Sequence, residues 1–346
     1  MSKITGYFAE LGSAALSGWN RFWFTPADPA TLGLIRIFAG SMLFYTHLVW
    51  SLDLEAFFGL HAWISPAAAK IAVPDGYNWS HLWLINSSQL LWAAHLMGLA
   101  VFAMFTLGLF TRVTSILSCL IAIAYVHRVP GALFGLDQIN CMLAMYLAIG
   151  PSGDAFSLDR WLKSRRAAEK LPPAAPSTSA NLAMRLIQIH MCVIYFFAGI
   201  SKLQGNTWWE GTALWYAFAN LEYQSLDMTW MAGWPISIAI MTQTTVYWEL
   251  SFCVLIWPRL LRPIVLLVAI PLHLGIGICM GMMTFGLVML IGCFSFVSPA
   301  IVRGILDRQP STPPLAVGAG EGRGAAPRLS RKAARAGHVA LTASSQ

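Results

Sequence analysis

Residues 195–218 read YFFAGISKLQGNTWWEGTALWYAF, and this stretch decides the fold. It closes a predominantly apolar run that begins near residue 182, then places one cation, Lys202, ahead of Trp208, Trp209 and Glu210. A run of about 20 apolar residues is what crosses some 30 Å of hydrocarbon. Tryptophan gathers at the headgroup level. The stretch therefore reads as the outer end of a membrane helix followed by an aromatic belt.

The rest of the chain extends this reading. Of 346 residues, 57% are hydrophobic and 11% charged, with a mean hydropathy of +0.62, whereas a soluble domain carries about 25% charged residues. Eight spans are predicted, at 31–50, 88–110, 113–128, 135–150, 182–201, 238–257, 263–281 and 283–300. The last two are separated only by the MGMMTFG region, which is compatible with a re-entrant pair. The expected fold is an all-α, polytopic integral membrane helical bundle.

Three segments follow. Residues 1–30 carry apolar residues at helical spacing and are expected to form an amphipathic interfacial helix. Residues 31–302 form the transmembrane domain. Residues 303–346 hold seven Lys and Arg against Asp307 and Glu321 and are rich in Pro, Gly, Ala and Ser. That composition reads as a disordered tail facing anionic headgroups rather than nucleic acid. The six cysteines show no metal, redox or haem spacing and read as core residues. No nucleotide loop, serine elbow or zinc-hydrolase motif occurs.

Lys and Arg in the loops set the orientation. Arg112, the 160–170 cluster, Arg259, Arg262 and the tail fall on one face. The other carries only Lys70, Arg128 and Lys202, against Asp53, Glu55, Asp75, Glu210, Glu222 and Asp227. Both termini are expected in the cytoplasm, and the membrane is the plasma (inner) membrane if the source is bacterial. The loops 51–87 and 202–237 are expected to close an outward-opening pocket.

Ionisable residues within spans are expensive and mark either pairs or functional sites. Arg36, Arg185, His190 and Glu249 fall in the inner halves of their spans, and His273 near the midplane. His47, His95, Asp137 and Lys202 fall towards the outer side. Arg36 and Glu249 have opposite signs at similar depth. They are expected either to pair, with His190 nearby, or to line a proton path or polar pocket. Lys202 reads either as a snorkelling cation or, in its small-residue setting AGISKLQG, as a desolvated amine able to act as a base. His273, after Pro271, reads as a hydrogen-bonded core residue or a functional one.

The segments DPATLGLIRIFAGSMLF, VIYFFAGISKLQGNTWWEGTALWYAF, VYWELSFCVLI and IPLHLGIGICMGMMTFGLVMLIGCFSF occur in this order. Together they resemble the membrane core of the vitamin K-dependent gamma-carboxylase family and its bacterial relatives, the HTTM (horizontally transferred transmembrane) proteins, over roughly residues 25–300. The resemblance implies Lys202 as a base on a vitamin K-like hydroquinone, with His273 on the family's histidine. Arg36, Asp137, Glu249, Trp208 and Trp209 would be binding residues. It also implies a quinone or hydroquinone cofactor. Ser201 stands where the carboxylases carry a second lysine, and Leu136-Asp137-Gln138 lacks their histidine. The large lumenal domain of the carboxylases has no counterpart here. Quinone-linked oxidoreductase or carboxylase-like chemistry is therefore expected rather than carboxylation of a peptide. The alternatives are a non-enzymatic protein supporting maturation or export of a partner, and a transporter. Expected partners are membrane lipids, an apolar small molecule and a protein partner.

Overall fold

The computed structural model describes residues 2–72, 79–167 and 171–306. Lys170, Asp75 and the tail from Asp307 onward lie outside the described residues. The described chain is helical throughout, with no strand. Its helices are α1 (Ser2–Phe24), α2 (Ala30–Trp50), α3 (Leu54–Phe58), α4 (Pro66–Ala72), α5 (Ser88–Leu107), α6 (Thr111–Arg128), α7 (Gly135–Ile149) and α8 (Leu158–Arg166). They continue as α9 (Thr178–Lys202), α10 (Asn206–Trp209), α11 (Ala213–Phe218), α12 (Pro235–Leu255), α13 (Arg262–Cys279), α14 (Met283–Cys293) and α15 (Pro299–Leu306).

Local chemistry sets the ends. Ser87 caps α5 by accepting from Leu90 N, and Ser177 caps α9 by accepting from Ala180 N, each satisfying an N–H the helix cannot. Proline stands in the first turn of α12 and α13, where its missing N–H is harmless. Each of the eight predicted spans coincides with a helix, but their lengths and hydropathies differ. Among the described residues, five helical stretches are long and apolar enough to cross a membrane: 30–58, α5, α9, α12 and α13. The stretch 283–296 and α15 make a sixth only if counted as one span, and they are bent by 109° to each other. α7, with 15 residues, is too short for the test.

One core holds the bundle. It joins Leu32, Ile35 and Leu43 of α2 to Phe102 and Phe105 of α5, and to residues of α7, α9, α12, α13 and α14. A second, smaller cluster packs Leu54 and Phe58 of α3 with Leu82, Leu91, Tyr125 and Val129. The described parts of the 51–87 connection are therefore folded onto α5 and α6. The beginning and end of the bundle meet where Arg303 of α15 grips Asp28 with two bonds, Nε–Oδ2 at 2.6 Å and Nη2–Oδ1 at 2.7 Å. α15 thus extends to Leu306, past the predicted domain boundary at 302. α1 presents Ile4, Phe8, Leu11 and Trp19 outward.

Candidate functional site

α9 runs antiparallel to α12. Tyr195 lies against Trp248 and Phe252, Gly199 against Leu250, and Lys202 against Glu249. A side chain at Gly199 would meet Leu250 Cγ at 2.8 Å, so glycine lets the helices approach at this level. Tyr195, Gly199 and Lys202 follow at i, i+4 and i+7 and share one face of α9. Helical side chains lean towards their N-terminus. In an antiparallel pair, Lys202 therefore leans down along α9 while Glu249 leans up along α12, and the two meet.

Their contact is an ion pair. Lys202 Nζ lies 2.9 Å from Glu249 Oε1 and 2.8 Å from Oε2. The carboxylate side chain is 9% exposed and the lysine 22%. Oε2 has no hydrogen bond beyond this contact. The ammonium also stands 5.3 Å from the centre of the Trp208 ring. Trp209 instead points outward, 63% exposed, and donates from Nε1 to Leu203 O. The tryptophan pair thus divides: one ring flanks the charge and the other faces away from the core.

Behind the ion pair lies a second polar contact. Tyr195, buried, has its hydroxyl 2.7 Å from His273 Nε2 and 3.4 Å from Cys293 Sγ. His273 is buried, and its Nδ1 has no hydrogen-bond partner among the described residues. Tyr195 and Cys293 were not among the residues singled out from the sequence. The i, i+7 spacing of Tyr195 from Lys202 was the available signal.

The expected Arg36–Glu249 pairing is corrected. Arg36, fully buried, donates to Ser152 O at 2.9 Å and Phe156 O at 2.5 Å in the turn after α7. Its two terminal nitrogens are met by backbone carbonyls, which carry no residue identity, its Nε has no hydrogen-bond partner among the described residues, and Glu249 is taken by Lys202. His190 is also apart from Glu249, bonding Tyr146 Oη at 3.0 Å. Counting each residue from its own span end sets Lys202 and Glu249 in different halves, yet the two meet. The first half of α12 runs past the end of α9 and packs on α10 and α11, where Gln243 donates to Trp208 O and Leu214 N donates to Thr242.

Asp137 stands elsewhere. It caps α7 by accepting from Phe134 N at 2.9 Å. With Thr46, Trp50, Phe134 and Phe285 it lines an open cavity of about 610 Å³. Lys202 does not line that cavity, nor does the connection 202–237. That connection packs on α12 and on the end of α13, where Ser225 donates to Ile278 O. Of the two loops, the 51–87 connection contributes Leu52, Asp53 and Phe57 to the lining of that cavity. His47 and His95 make a third group with Tyr125 and Ser51, where His95 Nδ1 lies 2.7 Å from Tyr125 Oη and Nε2 lies 2.8 Å from Ser51 Oγ. No cluster of three or more metal-ligating side chains occurs among the described residues.

Comparison with curated proteins and with solved structures finds no match. The HTTM domain matches residues 24–300, from just ahead of α2 into α15, and so takes in Arg36, Lys202, Glu249 and His273 together. Apolar helices of this length within such a match point to a membrane protein. With most of its length covered by that domain, the chain belongs to the HTTM domain family.

Proposed function

We propose that this is a multi-pass membrane protein, both termini cytoplasmic, whose Lys202–Glu249 pair is a proton-transfer centre for an apolar ligand bearing hydroxyl groups. The resemblance to the vitamin K-dependent carboxylases suggests a hydroquinone of the vitamin K type. The observation that carries this reading is the ion pair itself. Its carboxylate is nearly closed to solvent, while its lysine keeps an open side next to an indole ring.

A buried ammonium–carboxylate pair can discharge by one internal step, because two neutral partners carry no desolvation penalty for charge. The proton moves from Nζ to a Glu249 oxygen over less than 3 Å, and the net charge of the site does not change. Nζ is left with a lone pair on its open side, which is what a general base requires. Trp208 offers an aromatic face beside Nζ, which suits a flat apolar ring. A bound hydroquinone supplies two electrons and two hydroxyl protons. Lys202 holds or releases a proton at Nζ, Glu249 receives it, and the Tyr195–His273 contact orders the wall behind them.

The same geometry would also serve a non-enzymatic member of the family, with the pair only pinning α9 to α12. Substitution separates the two. Guanidinium stays protonated above pH 12, so Lys202→Arg keeps an ion pair and loses the base. The expected result is that Lys202→Arg and Lys202→Ala both abolish oxidation of a vitamin K-type hydroquinone by dissolved oxygen, while Lys202→Arg keeps the parent's thermal stability in detergent. A stable Lys202→Arg protein with full turnover would refute the base and leave the pair structural.

A further inference from the structure

A second polar centre lies at the other end of α9. Arg185, in its second turn, has its guanidinium 4.3 Å from the centre of the Phe22 ring and 5.8 Å from the Trp257 ring. It donates to Phe22 O at 3.3 Å and to Gln188 Oε1 at 3.0 Å. Arg262, the first residue of α13, donates to Ile256 O and to the carbonyl of the same Trp257, at 3.1 and 2.9 Å. Arg259, exposed in the turn between α12 and α13, is the third cation. Arg185 and Arg262 are close enough to repel, as are Arg262 and Arg259. None of the three forms an ion pair with a carboxylate among the described residues.

Three like charges gathered without a counterion are unfavourable unless an anion joins them. Neutral carbonyls and aromatic faces hold two of the guanidinium groups in place, and a guanidinium fork suits phosphate oxygens. Directly beside the cluster the surface turns apolar and open. Leu260 is 87% exposed, Leu267 67% and Ile264 58%. A phosphate with hydrocarbon chains attached matches both parts. We infer that Arg185, Arg259 and Arg262 form a binding site for the phosphate of an anionic phospholipid, with its chains along the outer face of α13. This site is separate from Lys202 and does not depend on the base reading.

The test is native mass spectrometry of the full chain in detergent, titrated with phosphatidylglycerol or phosphatidylcholine, alongside thermal unfolding with inorganic phosphate. Phosphatidylglycerol should be retained at concentrations where phosphatidylcholine dissociates, and inorganic phosphate should give no protection. Each arginine replaced by glutamine should weaken phosphatidylglycerol retention about fivefold, whereas Arg165→Gln on α8 should leave it unchanged. Arg185→Gln also removes the stacking on Phe22 and Trp257. If it fails to fold, the exposed Arg259→Gln carries the measurement. Equal retention of the two lipids, or an Arg259→Gln and Arg262→Gln protein that binds phosphatidylglycerol like the parent, would overturn the site. Protection by inorganic phosphate equal to that by the lipid would overturn the lipid assignment.

Discussion

Asp159 shows how a single side chain can replace a missing local signal. α6 begins after Phe110, whose backbone is left-handed (φ 48°) and whose side chain cannot cap. The cap comes from α8 instead. Asp159 Oδ1 accepts from Phe110 N at 2.8 Å, and Oδ2 accepts from Thr111 N and its hydroxyl, both at 2.7 Å. Burial works against this carboxylate, but these hydrogen bonds and the nearby Lys163 outweigh it and hold its pKa below the ordinary value. A group depressed in the folded state stabilises fully above its unfolded pKa, near 4. The contribution fades as pH falls through the lower folded value. Asp159→Asn is therefore expected to cost about 1–2 kcal/mol at neutral pH. The gap to the parent should narrow progressively as pH falls below about 4, as read by thermal unfolding across pH. A gap that stays constant down to pH 3 would mean the charge plays no part.

Between elements, the contact that positions His273 is the hairpin of α13 and α14. Gly286 of α14 lies directly on the carbonyl of His273, so a Cβ there has no room. Gly275, two residues beyond His273 on α13, has nothing within 4 Å of where its Cβ would stand. Two changes of the same size should thus act in opposite directions. Gly286→Ala is expected to lose about 1–3 kcal/mol through overpacking, and Gly275→Ala to be neutral or to gain up to about 1 kcal/mol from helix propensity. Thermal unfolding in detergent compares them. Gly286→Ala as stable as the parent would show that α14 can move away from α13. The helices themselves were legible, because long apolar runs mark them directly. α9 begins at Thr178 rather than 182 since the Ser177 cap adds a polar first turn, which hydropathy does not register. Relative height was not legible. A period of 3.6 residues says which residues share a face, and that aligns Tyr195 with Lys202. It does not say that Lys202 faces Glu249, or that Arg36 ends on the carbonyls of Ser152 and Phe156.

For the molecule as a whole, the loop charge bias predicts an orientation that labelling can test. Arg165 sits on exposed α8 with its guanidinium over Trp161, while Glu222 lies in the long connection between α11 and α12. Single cysteines at these positions, in a chain otherwise free of cysteine, should separate under a membrane-impermeant thiol reagent in intact cells. Glu222→Cys should label and Arg165→Cys should label only after lysis. The reverse pattern would invert the bundle, and with it the side from which Lys202 is reached.

The grip of Arg303 on Asp28 bears on the order in which the chain is made. Helix hairpins such as α13–α14 join neighbours and can form as soon as both arms emerge. The pair at 28 and 303 joins positions 275 residues apart, and its acid waits through the synthesis of everything between. Closure over so long a separation adds little entropic penalty beyond that of a shorter loop, because the penalty grows only with the logarithm of length. Its timing is nevertheless bounded, since no chain shorter than 303 residues can make it. Asp28 with its bidentate partner therefore records that synthesis has passed α14. A nascent chain stalled before α15 would keep that carboxylate unclasped by Arg303.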